Sequence, residues 1–195
     1  LSLCTLTIDT MLARDNASYT LVCSRLRPAN LPLLSAVWAS RFGLLNRIFT
    51  LQNGNVANTD RHPSVPLPDG FAIQGREVVF LDMLRAFVSP APEFVIHELR
   101  VYDANIGEGD RFAELMLDAI ETRVRYSPNF GIWRSVSGRV DRIYHLWGYR
   151  SLDERDLVRS QTREDAVWQA YTDTILPMLQ SMNTMLLAPL VAIDG

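Results

Sequence analysis

The chain repeats itself at a distance of 95 residues: Trp38, Gly43 and Arg47 recur as Trp133, Gly138 and Arg142 (133 − 38 = 95, and likewise for the other two pairs). Ile48, Phe49 and Leu51 follow in one copy as Ile143, Tyr144 and Leu146 follow in the other, and the same shift lays Cys4–Thr7 on Leu99–Tyr102. Identities held in register over such segments mark two related modules, and related modules must build the same backbone. The chain therefore divides into a first module over 1–88 and a second over 93–195, joined by Ser89-Pro-Ala-Pro92.

Composition narrows the chemistry. All 19 basic residues are Arg, which removes lysine Schiff bases, pyridoxal phosphate enzymes and P-loop lysines. A net charge of −3 gives no general attraction to nucleic acid or anionic lipid. No apolar run reaches the roughly 18 residues of a membrane span. The expectation is a soluble, cytoplasmic protein with no nucleic-acid or membrane partner. Cys4 and Cys23, without a CxxC or nearby His, read as structural thiols.

The second module has the clearer pattern. Phe94 to Tyr102 alternates as a strand, and Asp110 to Arg125 has helical apolar spacing, with charges at its ends that suit the helix dipole. Ile132–Ser137 and Arg142–Tyr149 form a hairpin around Gly138. Ser151-Leu-Asp-Glu154 has capping-box form and starts a short helix. A longer helix is expected from about Arg163 to Gln180, then a strand from Asn183 to Leu190, stopped near Pro189. The order β-α-β-β-α-β is the ferredoxin-like plan. The first module follows it with a strand at Ser2–Ile8, a helix at Ala17–Leu26, a hairpin at Trp38–Gln52 and a closing strand at Arg76–Met83. Its Asn53–Gly70 segment is too rich in Pro and Gly for a long helix.

Strand parity sorts two faces. Cys4/Leu99, Leu6/Val101, Phe49/Tyr144 and Leu51/Leu146 are apolar in both copies, and this face is expected to pack on helices. The other face carries Thr5/Arg100, Thr7/Tyr102, Thr50/His145 and Gln52/Trp147, polar in both copies and different between them. Packing sheet against sheet would enclose these residues in a shared interior.

The stretches HELRVYDANIGEGDRFAEL, DRIYHLWGYRSLDER and VWQAYTDTILPMLQSMNTMLLAPL resemble the NIPSNAP family, a branch of the dimeric α/β-barrel superfamily. The resemblance covers nearly all of Glu93 to Leu190. The first module shares it only through its register with the second, and its Pro-rich segment departs from the pattern. The resemblance implies an α+β fold in which two tandem ferredoxin-like modules join their sheets into a barrel-type pseudo-dimer, so that a monomer or a homodimer would serve. Superfamily relatives include cofactor-independent monooxygenases, isomerases, cyclases and haem enzymes, and several hold their pocket between sheet and helices.

His145 is the leading acid/base candidate, with Arg100 to hold a carboxylate or enolate and Tyr102 to donate to an oxyanion. Trp147, Glu98, Arg142, Thr50 and Thr7 are candidate ligand-binding residues, and Glu98 also reads as an ion-pair partner of Arg100. Arg47 and Arg142 read either as hairpin contacts or as a ligand clamp, and Trp38/Trp133 as packing anchors. His97 reads as a core histidine and His62 as a solvated one, so no protein-ligated metal is expected. No cofactor is expected, although a haem on one axial His stays open. The leading reading is a barrel that binds a small organic molecule, with cofactor-independent isomerisation, cyclisation or monooxygenase-like chemistry; the other is a non-catalytic interaction or scaffold protein.

Overall fold

Eight antiparallel strands close into a barrel in the order β1-β3-β2-β8-β5-β7-β6-β4 in a computed structural model that describes residues 3–11, 34–53 and 72–192. The strands are β1 (Leu3–Met11), β2 (Leu34–Phe42), β3 (Arg47–Asn53), β4 (Ile73–Arg85), β5 (Ile96–Ala104), β6 (Asn129–Ser135), β7 (Arg142–Tyr149) and β8 (Leu179–Ala192). The helices are α1 (Gly109–Val124), α2 (Leu152–Glu164) and α3 (Ala166–Ile175), followed by a 3-10 turn at Leu176–Met178. The expected helix at Ala17–Leu26, nearly all of the Pro-rich segment, Cys23 and His62 lie outside the described residues.

Each module lays its strands in the ferredoxin-like order, β4-β1-β3-β2 and β8-β5-β7-β6, and the seams β2·β8 and β4·β6 join them. Every pairing is antiparallel, so a half-turn about the barrel axis carries β1 onto β5 and β3 onto β7. The closing strand of each module is the longest because its first part pairs within its own module and its last part pairs with the other module. β8 pairs with β5 and then with β2, and β4 pairs with β1 and then with β6. Consequently β8 begins at Leu179, earlier than expected, and continues through Pro189 instead of stopping there. Pro189 sits opposite Trp38 beside a register shift, where the missing N–H is tolerated.

The local signals explain the element ends. Gly43 and Gly138, a matched pair, turn their hairpins at φ of 97° and 65°, a region open to Gly at no steric cost. Ser151 caps α2 by accepting from Glu154 N at 3.0 Å. The helix expected from about Arg163 to Gln180 forms as Ala166–Ile175, shorter at both ends. Asp165 leaves the helical region and accepts from Val167 N and Trp168 N at 2.9 and 3.0 Å, which ends α2 and starts α3.

The two faces are the reverse of the expected assignment. Cys4, Leu6, Phe49, Leu51, Leu99, Val101, Tyr144 and Leu146 line the inside of the barrel, in one apolar cluster drawn from all eight strands. The helices pack instead on the outer face of the second module, where Phe112, Met116, Ile120, Tyr171 and Ile175 meet Ile132, Ile143, Trp147 and Tyr149. A closed barrel interior is filled only by side chains of its own strands. Both copies must supply the same filling, and this is why the apolar face is the one they share. The residual space at the centre is about 20 Å³ with an apolar lining, about one water in size, so the middle of the barrel is packed.

The barrel ends differ. Phe87 and Phe94, on either side of the inter-module linker, pack on the interior cluster and plug one end, where Phe87 lies between Trp38 and Trp133 with ring centroids 6.3 Å from each. The opposite end carries the two hairpin turns and remains concave.

Candidate functional site

The polar face of β5 and β7 meets the helices of the second module in a layer built around one carboxylate. Glu98 is fully buried. Its Oε2 accepts from Arg100 Nη2 at 3.0 Å and from the Tyr149 hydroxyl at 3.1 Å. Its Oε1 accepts from Arg155 Nη2 and Nε at 2.6 and 3.2 Å and from Arg159 Nη1 at 3.3 Å. Burial alone would raise the carboxyl pKa, but the guanidiniums of Arg100 and Arg155 outweigh it and hold Glu98 below the usual carboxylate range. Glu98 is thus an ionised brace between sheet and α2, not a proton acceptor.

Cations outnumber this anion. Arg123, in the last turn of α1, is buried over the ring of Trp147 at 4.5 Å and donates to Ser127 Oγ at 2.8 Å and to the Tyr149 hydroxyl at 3.0 Å. Arg123 holds the helix-end position that suits the dipole, and its side chain is buried against the sheet. Desolvation lowers its pKa.

His145 lies opposite Arg100 across the β5·β7 ladder, with its ring 4.7 Å from that of Tyr102 at an interplanar angle of 83°. The Trp147 indole donates to His145 Nδ1 at 2.8 Å, so the neutral ring carries its proton on Nε2. Desolvation first, then the charges of Arg100 and Arg123, push the imidazole pKa well below its ordinary value. The expectation of a general acid/base at His145 is therefore revised: the residue is a neutral donor whose free nitrogen bears a hydrogen. Tyr102 accepts from Arg100 Nη1 at 3.3 Å and stacks on Phe112 of α1. Tyr171 of α3 is buried in the cluster against which Tyr102 packs. His145 Nε2, Arg100 Nε and the Tyr171 hydroxyl are all buried and have no hydrogen-bond partner among the described residues.

The remaining candidates fall elsewhere. Thr7 and Thr50 face each other on β1 and β3, on the outer face of the other half of the barrel, so the packed interior separates them from Arg100. The reversal of the faces explains this: both polar faces point outward and away from each other. Arg142 has inward parity at the concave barrel end, where Asp103 receives its Nε and Nη2 at 2.6 and 3.0 Å. His97 lies at the plugged end, accepting from the Trp38 indole at 2.7 Å and donating from Nε2 to Phe94 O at 2.9 Å. Tyr149, Arg155, Arg159 and Tyr171 were not singled out from sequence. Tyr149 shares the parity of His145 and Trp147, which was a usable signal, whereas the helical residues could be placed only by knowing which face the helices cover. No group of three or more potential ligands for a metal occurs among the described residues, and none of their helices is long and apolar enough to cross a membrane.

Two ferredoxin-like sheets closed into one antiparallel barrel define a dimeric α/β-barrel protein, here contained in a single chain. Solved structures share this fold over nearly the full length. A candidate monooxygenase from Lactobacillus acidophilus NCFM superposes with a TM-score of 0.67 at 10% identity, covering 97% of this chain and 94% of that one. A second candidate monooxygenase, from Fusobacterium nucleatum, gives 0.66 at 13% identity, covering 98% and 93%. Residues 97–192, nearly the whole second module, match the NIPSNAP family model. NipSnap homolog 2 of Mus musculus is 28% identical over 101 residues, which is 52% of this chain and 36% of the mouse protein. The chain spans about a third of the length of the curated relatives it matches first.

Proposed function

We propose that the layer between the second module's sheet and helices binds a small organic molecule through an anionic oxygen. The observation that carries this reading is the set of three buried groups, Arg100 Nε, His145 Nε2 and the Tyr171 hydroxyl, that lack a partner among the described residues. Leaving such groups unmatched is costly, and an anionic oxygen is the ligand chemistry that satisfies donors beside an uncompensated guanidinium. The chemistry this supports is stabilisation of an enolate or oxyanion, as in a cofactor-independent isomerisation, cyclisation or oxygenation. Proton abstraction by His145 does not fit, because the Trp147 indole occupies its lone-pair nitrogen.

The test is a spectrophotometric titration of p-nitrophenol with and without the protein. Binding should lower the phenol pKa by about one unit, since the site favours the phenolate. Arg100→Met and His145→Phe should each weaken the effect while the fold is retained by circular dichroism. A bound phenol with unshifted pKa would overturn the reading. A second reading, a filled structural layer in a non-catalytic protein, is favoured by the saturation of both Glu98 oxygens. It predicts no phenol binding at all.

A further inference from the structure

The concave barrel end contains a cavity of about 360 Å³, within the range of small-molecule sites. It lies on the axis that relates the two modules, and the matched pair Arg47 and Arg142 reaches it from opposite sides, on β3 and β7. Ile8, Val101 and Met185 line its inner part. The duplication has made its two sides chemically different. On the second-module side, Asp103 grips the Arg142 guanidinium while occupying only part of its donor fork, and Tyr144 lies beside the same guanidinium. On the first-module side, Ile8 stands at the position matching Asp103 and Phe49 at that of Tyr144, so below Arg47 that side is apolar where the other carries polar groups. Glu77 also borders the cavity but is exposed, where water screens its charge.

We infer that this barrel mouth is a second ligand site, separate from the sheet–helix layer, that takes an organic monocarboxylate with an apolar body. The carboxylate lies toward Arg142 and Tyr144, and the apolar part lies along Ile8 and Phe49. The packed barrel centre limits entry to the mouth.

Octanoate serves as the probe, read by carbon-13 NMR of methionine methyl groups. Met185 lines the mouth, whereas Met116 and Met178 belong to the cluster under the helices, so the spectrum separates the two sites. The expected result is a saturable shift of Met185 with Met116 and Met178 unmoved, at least about tenfold weaker binding of 1-octanol, and about tenfold weaker octanoate binding in Leu44→Glu. Leu44 is a half-exposed rim residue, so this change adds a repelling carboxylate without disturbing the core. An unmoved Met185, shifts confined to Met116 and Met178, equal binding of octanol, or undiminished binding by Leu44→Glu would each overturn the inference.

Discussion

Trp147 donates its indole N–H to Nδ1 of His145 at 2.8 Å, and Trp38 makes the same bond to His97 at 2.7 Å. Both imidazoles are thereby held with the proton on Nε2. They differ in where that proton goes: the His97 Nε2 donates to Phe94 O, and the His145 Nε2 has no acceptor among the described residues. One Trp–His pair is thus closed within the core, and the other presents a donor.

The tautomers can be measured directly. Long-range nitrogen-15 NMR of the imidazoles should find both in the Nε2–H form at neutral pH. In Trp147→Phe the His145 Nδ1 loses its donor and the ring should sample both tautomers, while His97 is unchanged. A predominant Nδ1–H form of His145 in the wild type would contradict the donor role.

Acidification should destabilise the protein through these same rings. Burial lowers the His97 pKa to about 4 from an ordinary 6.5, and burial together with the charges of Arg100 and Arg123 lowers that of His145 well below 6.5. Above pH 6.5 both rings are neutral in folded and unfolded chains, so their contribution to stability is constant there. Below it the unfolded chain takes up protons that the folded one refuses, and stability falls as the pH drops toward 4, by roughly 1.4 kcal/mol per pH unit for each ring. Urea unfolding at pH 7.5, 6 and 5 would record the decline, and His97→Gln should flatten it.

Replacing Glu98 by Gln leaves Arg100, Arg155 and Arg159 facing a neutral amide in a buried layer. A cost of about 3–5 kcal/mol is expected from breaking such an ion cluster on one side. Arg159→Ala, at the half-exposed edge of the cluster, should cost less than about 1 kcal/mol. Chemical denaturation of both variants checks the ordering.

The inward orientation of the shared apolar face gives a contrast on one hairpin and its neighbour. Leu99→Ala in the barrel interior should lose about 2–5 kcal/mol. Leu45→Ala, at the exposed tip of the β2–β3 turn, should change stability by less than about 0.5 kcal/mol. Equal costs would place Leu99 outside the packed core.

The sequence carried much of this architecture. The spacing of Trp38/Trp133, Gly43/Gly138 and Arg47/Arg142 marked two modules, and the alternation around Leu99 and Arg100 sorted the residues of each strand onto their correct opposite faces. The capping box at Ser151 and the hairpin glycines specified their own turns, because those signals depend only on neighbouring backbone. The length of the closing strands was not legible, since half of each pairs with the other module. The boundary between α2 and α3 was legible to within a few residues, near Arg163 against Asp165, whereas the early end of α3 at Ile175 was not.

By itself the sequence determined which residues share a face and that the two copies adopt one backbone, since strand period and local turn chemistry are properties of the chain near each residue. Only the tertiary structure decided which face is inside. That choice depends on closure of the barrel, which commits the shared apolar face to an interior no helix can enter and turns the divergent polar faces outward on opposite sides. The same closure separates Thr7 and Thr50 from Arg100, brings Arg123 onto Trp147 beside His145, and sets Arg142 at the barrel mouth, through pairings between segments far apart in the chain.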